Sequence, residues 1–140
     1  MYTSATDRLQ RKCAKTAFAY LIVSLFCALF GAVYEVFSHG VYSFYMIYAF
    51  GFPLAGGALP FLLLSFSGTP KYPPGLSRNL YHSGIATLTV GSLVRGVLDI
   101  YGTTNALSNG YWIVGIPLVA AGAAGYGISR ILAKKEEISQ

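Results

Sequence analysis

Apolar residues fall into four long blocks along this chain, separated by short connections that are polar or rich in Pro and Gly. The first block runs from about Thr16 to Phe37 and the second from about Val41 to Phe66. The third runs from about Leu80 to Tyr101 and the fourth from about Tyr111 to Leu132. Each is near the ~20 residues that a helix needs to cross a bilayer core, whereas a strand needs only about 9–11. A helix also satisfies its own backbone groups where no water can. The pattern predicts an all-α polytopic membrane protein. Residues 1–140 form a single domain, a four-transmembrane-helix bundle with spans at about 16–37, 41–66, 80–101 and 111–132.

Composition strengthens this reading. Hydrophobic residues make up 54% and charged residues 11%, against about 25% charged in a typical soluble domain. The first block is too long for a signal-peptide core, and no small-residue cleavage site follows it. The net charge of +5 comes from residues that flank the blocks, as topology determinants do, and is no nucleic-acid footprint. Arg8, Arg11, Lys12 and Lys15 precede the first block. Lys71 and Arg78 lie in the second connection, and Arg130, Lys134 and Lys135 close the fourth block. The first and third connections hold no Lys or Arg. Both termini are therefore expected in the cytoplasm, with the plasma membrane as the expected location. Tyr34, Tyr42, Tyr101, Tyr111 and Trp112 would then form an outer aromatic belt.

Three ionisable residues stand where lipid is expected: Glu35, Arg95 and Asp99. Such a residue costs a few kcal/mol at membrane depth, so it faces protein or water and takes a partner. Glu35 lies about 12 Å outward from the middle of the first span at 1.5 Å per residue. Asp99 is at a similar height in the third span, with Arg95 one turn deeper. Arg95 and Asp99 are spaced i,i+4 and share a helix face, as do Glu35 and His39. Small residues, among them Gly31 and Ser24 near Glu35 and Gly91 and Ser92 near Arg95, allow close approach and turn the charges inward. The simplest arrangement has Arg95 bridging Glu35 and Asp99, because its planar fork suits two carboxylates. Tyr34, Tyr42, Tyr45 or Tyr48 would serve as donors nearby. The plainer alternative is an intrahelical Arg95–Asp99 pair, with Glu35 snorkelling to the interface.

The second span contains Pro53, Gly56, Gly57 and Pro60 as helix-break candidates. Proline removes a backbone donor and crowds the preceding turn. A kinked packing helix is the favoured outcome; a short unwound stretch with exposed carbonyls would instead line a cavity. In the fourth span, Ala121/Gly125 and Ala123/Gly127 are small-xxx-small pairs suited to internal packing or a homodimer contact.

Other chemistries find little purchase. No CxxC, HExxH or CxxCH motif is present, so no metal or cofactor is expected. Cys13 and Cys27 lie roughly 20 Å apart along one helix and form no disulfide framework. His39 and His82 belong to opposite membrane faces, about 30 Å apart, too far for one haem. A Ser-His-Asp set would draw on residues at different heights, so no catalytic residues are assigned and no enzyme is expected.

Four short spans with an acidic residue in the first resemble the small multidrug transporters. The resemblance is one of architecture and does not extend to membership. In that family the key Glu lies well inside the first span near the chain start, whereas Glu35 stands near the outer end behind a basic leader. Arg95 and Asp99 have no counterpart there. The expected function is solute or ion binding or transport at an outer-facing intramembrane charged site. Arg95 would take an anionic group or hold the carboxylates, and Glu35 or Asp99 would exchange a proton or bind a cation. The alternative is a non-catalytic accessory subunit or assembly factor of a membrane complex. In that case the charges fix helix register and the fourth span meets a membrane-protein partner.

Overall fold

The computed structural model describes residues 2–66 and 73–140. Lys71 and most of the second connection lie outside the described residues, so that part of the charge asymmetry has no structural counterpart here. The described residues form α1 (Tyr2–Phe37), α2 (Phe44–Ile47), α3 (Gly51–Pro53), a π turn (Leu54–Ala58) and α4 (Leu59–Phe66). These are followed by α5 (Gly75–Tyr101), a 3-10 turn (Ala106–Ser108) and α6 (Asn109–Ser139). No strand occurs among them.

Three helices, α1, α5 and α6, are long and apolar enough to cross a membrane. Helices α1 and α6 outrun their apolar blocks at the charged end, where Arg, Lys, Gln and Glu are themselves good helix formers. The second apolar block differs. It makes the short helix α2, turns at Tyr48–Phe50, and restarts as the shorter apolar helix Gly51–Phe66. Pro53 falls in the first turn of that restart, where its missing N–H has no helical acceptor to leave unpaired.

This interrupted segment runs antiparallel to α1 and lies between α1 and α5. Its position is read from contacts at three heights. A Cβ on Gly31 would meet Met46 O at 3.0 Å, a Cβ on Gly57 would run into the Tyr20 ring, and Ser65 Oγ donates to Gln10 O at 3.3 Å. On its other side Met46 abuts Gly96 of α5, where a Cβ would come within 2.9 Å of Met46 N. Helix α6 then packs antiparallel on the far side of α5. A Cβ on Gly84 would come within 2.6 Å of Val119 N, and one on Gly122 within 2.6 Å of Tyr81 N. These obstacles are backbone atoms, so hydrogen at those positions is what lets the two helices touch. Ser77 Oγ fastens the same interface by donating to Gly122 O at 2.5 Å.

Helix α5 is thus the centre of the bundle. In its most apolar stretch 39% of residues are buried, against 11% in α6. Large side chains such as Phe18, Phe26, Leu63 and Ile131 stay exposed. That distribution suits a protein whose outer solvent is hydrocarbon, in which the apolar surface needs no cover.

The interface glycines of α6 are Gly115 and Gly122, with Gly125 against Ser77. Ala121 and Ala123 are exposed, and Gly127 has nothing near its absent Cβ. The internal contact therefore uses a neighbouring stripe, and the small-xxx-small pairs contribute only Gly125 to it.

Candidate functional site

The C-terminal end of α1 is closed by a tight turn. Ser38 Oγ lies 2.7 Å from Glu35 O and 2.6 Å from Val41 O, within reach to donate to either. His39 has φ 58° and Gly40 φ 90°, so the chain passes through two left-handed residues and reverses. Histidine is among the non-glycine residues that tolerate this region best. His39 is exposed at the turn. After the reversal, α2 lies along α5 on one stripe made by Ser92, Arg95, Gly96 and Asp99, spaced i, i+3, i+4 and i+7. Ser92 Oγ donates to Tyr45 O at 2.7 Å, and Ser43 Oγ donates to Asp99 Oδ2 at 3.1 Å.

The charged pair sits on this stripe. Arg95 Nε lies 3.5 Å from Asp99 Oδ1, with side chains 26% and 30% exposed. Arg95 Nη1 donates to Ser108 Oγ at 3.0 Å. Ser108 Oγ is also within reach of Asn105 O, at 2.7 Å, in the turn that opens α6. The guanidinium carbon stands 5.5 Å from the centre of the Tyr45 ring, a cation–π contact. Arg95 therefore joins three parts of the fold: its own helix, the turn before α6, and α2. The end of α5 is held as well. Gly102 adopts φ 78°, Gly102 N donates to Asp99 O and Thr103 N to Leu98 O, a Schellman closure.

Glu35 is not part of this pair. Among the described residues Arg95 forms its ion pair with Asp99 alone. Met46 is wedged between Gly31 and Gly96, so α2 stands between α1 and α5 at that height, a turn from Glu35 and beside Arg95. Oε1 of Glu35 is buried with no hydrogen-bond partner among the described residues, and so is Nε of Arg95. The Nε atom still feels Asp99 at ion-pair range; the Glu35 oxygen has no such compensation.

The tyrosines divide differently from the donors expected of them. Tyr45 offers its ring face to Arg95 and tilts against Trp112 with centroids 6.2 Å apart. Tyr34 stacks on Phe30 at 6.0 Å. Tyr42 and Tyr48 are exposed.

The break candidates Pro53, Gly56, Gly57 and Pro60 lie within the continuous helix Gly51–Phe66, which they distort into a π turn; the interruption itself falls before them, at Tyr48–Phe50. Pro60 has no N–H to give to the carbonyl four residues earlier, that of Gly56. The Tyr81 hydroxyl, from α5, donates to that Gly56 oxygen. The carbonyl that proline orphans is thus satisfied by a neighbouring helix, as a break inside a membrane requires. Gly56 makes room for Ile85 of α5 and Gly57 for the Tyr20 ring of α1. The pair acts as a two-sided packing joint, and the π turn over Leu54–Ala58 absorbs the extra residue. One turn inward, Tyr20 and His82 share a hydrogen bond through the hydroxyl and Nδ1, and Phe61 stacks on His82 at 5.4 Å.

Ser43, Ser108, Tyr20 and Tyr81 are the functional-looking side chains that the sequence did not single out, and Ser92, expected only as a small packing residue, is also a donor to Tyr45 O. Only Tyr81 had a signal: Pro60 implies an orphan carbonyl, hence a donor somewhere. No group of three or more His, Cys, Asp or Glu gathers among the described residues. Cys13 and Cys27 are free and buried. Compared with known protein families, curated proteins and solved structures, the chain matches none.

Proposed function

We propose that this chain is a four-span plasma-membrane protein with both termini in the cytoplasm, and that it binds a small polar solute or ion at an outer-half site around Glu35, Arg95 and Asp99. Support for a fourth crossing comes from the interrupted segment. Its contacts follow α1 from Gly31 to Gln10, 21 residues or about 32 Å at helical rise, close to the ~30 Å hydrocarbon core. The observation that carries the binding reading is the buried, unpartnered Oε1 of Glu35, near the turn whose far side supplies Ser43 to Asp99. An acceptor kept without a partner is a standing cost to folding, and a donor or cation arriving from outside removes it. Arg95 holds Asp99 and the start of α6 in place and retains one unbonded Nε.

The test is ligand-dependent thermal stabilisation of the purified protein. Na+, K+, the common amino acids and inorganic phosphate are screened against wild type, Glu35→Gln and Arg95→Gln. A solute that raises the wild-type Tm and loses its effect in both variants supports the site. Equal stabilisation of Arg95→Gln by that solute, or no stabilising solute at all, contradicts it.

One observation favours the accessory-subunit reading. The Arg95 contacts with Asp99, Ser108 and Tyr45 are all internal, which is how a purely structural clamp is built. Co-purification of a stoichiometric membrane partner would favour that alternative.

A further inference from the structure

Away from the outer charges, α1 and α5 leave a lateral groove of about 680 Å³ between them, with Pro53 of the interrupted segment among its lining residues. Its volume is within the ~300–1,000 Å³ typical of ligand sites. The walls are apolar: Ala19, Val23 and Phe26 on α1, with Ala86, Val90 and Leu93 on α5. The polar side chains in the wall are occupied internally. Thr16 Oγ1 donates to Lys12 O at 3.0 Å, Thr89 Oγ1 donates to Ile85 O at 2.8 Å, and Tyr20 and His82 bond each other. What remains is Lys15, exposed at one end, with no ion pair among the described residues.

From Lys15 to Cys27, both lining residues, is 12 residues or about 18 Å. Half the ~30 Å hydrocarbon core is about 15 Å, the depth of one leaflet. An apolar slot one leaflet deep, with Lys15 as the one cation among its described lining residues, at its interfacial mouth, matches one kind of molecule. We infer that the groove is a binding site for an anionic glycerophospholipid of the leaflet facing Lys15. The phosphate would rest on the Lys15 ammonium and one acyl chain would lie along Val23, Phe26 and Val90. A zwitterionic lipid offers the same chain but no net charge to Lys15, so the site discriminates by headgroup.

The experiment uses the full chain in detergent with equal amounts of phosphatidylglycerol and phosphatidylcholine carrying identical acyl chains, and retained lipid is counted by native mass spectrometry. Wild type is expected to retain one lipid and to favour phosphatidylglycerol about fivefold, the effect of one Lys near an anionic headgroup. Lys15→Gln should bring the two lipids to parity while still retaining one. Ala86→Phe, a substitution at an exposed wall position, should lose most of the binding of both. Ala19→Phe repeats that blockade from the opposite wall, should Ala86→Phe fold poorly. Equal retention of both lipids by wild type overturns the proposal. So does a preference unaffected by Lys15→Gln, or undiminished retention in the groove-filled variants.

Discussion

Replacing Tyr81 with Phe removes a single oxygen from the contact between α5 and the π turn. The ring keeps its place, and the loss is the donor to Gly56 O. Pro60 already denies that carbonyl its helical partner, so the substitution leaves an acceptor unsatisfied in an apolar interior. Such a loss costs about 1–3 kcal/mol in general, and cycles in a membrane protein average about 0.6 with a maximum near 1.7 kcal/mol. Together these place Tyr81→Phe at about 1–1.5 kcal/mol. In a Pro60→Ala background the backbone N–H restored at that position can reach Gly56 O itself, so Tyr81→Phe should then cost about 0.5 kcal/mol or less, a coupling of about 1 kcal/mol. The assay is SDS titration of the four proteins in mixed micelles, followed by far-UV circular dichroism. Additivity of the two substitutions within about 0.3–0.5 kcal/mol would refute the claim that the hydroxyl replaces the donor proline removes.

Other expectations follow from the same contacts. Gly122→Ala drives a Cβ to within 2.6 Å of Tyr81 N and should cost about 1–3 kcal/mol as an overpacked contact. Gly127→Ala, with open space at its Cβ, should be neutral or gain up to about 1 kcal/mol from helix propensity; thermal melts of both in one detergent check the contrast. Asp99→Asn withdraws the charge facing Arg95 at 3.5 Å but keeps an acceptor for Ser43. For a pair this exposed the loss should be about 1 kcal/mol or less, read from the same melts. In a variant whose native cysteines are replaced, a cysteine at His39 should react with impermeant maleimide in whole cells and one at Gly75 should not. Labelling of both would show that the interrupted segment does not cross.

The chain's helical, membrane-directed character is legible because it depends on block length and composition, which are local. The Arg95–Asp99 pair is legible for the same reason: i,i+4 spacing on a helix brings two side chains together whatever surrounds them. The partners of that pair are not. Ser43 is 56 residues from Asp99 and Ser108 is 13 residues from Arg95, so each depends on how separate elements dock. A bridge from Arg95 to Glu35 requires that the outer ends of the first and third spans touch. Instead Arg95 pairs with Asp99, and Met46 packs against Gly31 on one side and Gly96 on the other, a turn below Glu35 and beside Arg95. Similarly, two prolines announce a disturbance of the second block, but the interruption falls ahead of both, at Tyr48–Phe50. Pro53 sits in the first turn of the helix that follows, and Pro60 lies beyond a π turn whose orphan carbonyl a tyrosine from α5 satisfies.

The central claim is that Glu35 is retained for something other than folding. The most direct measurement is the Tm of Glu35→Gln beside wild type and Asp99→Asn, in the same detergent and without added solute. The account predicts that Glu35→Gln is as stable as wild type or more so, since it removes a carboxylate whose buried oxygen has no partner among the described residues, while Asp99→Asn is less stable. A Glu35→Gln protein destabilised as much as Asp99→Asn, or more, would contradict the account and make the carboxylate a structural tie.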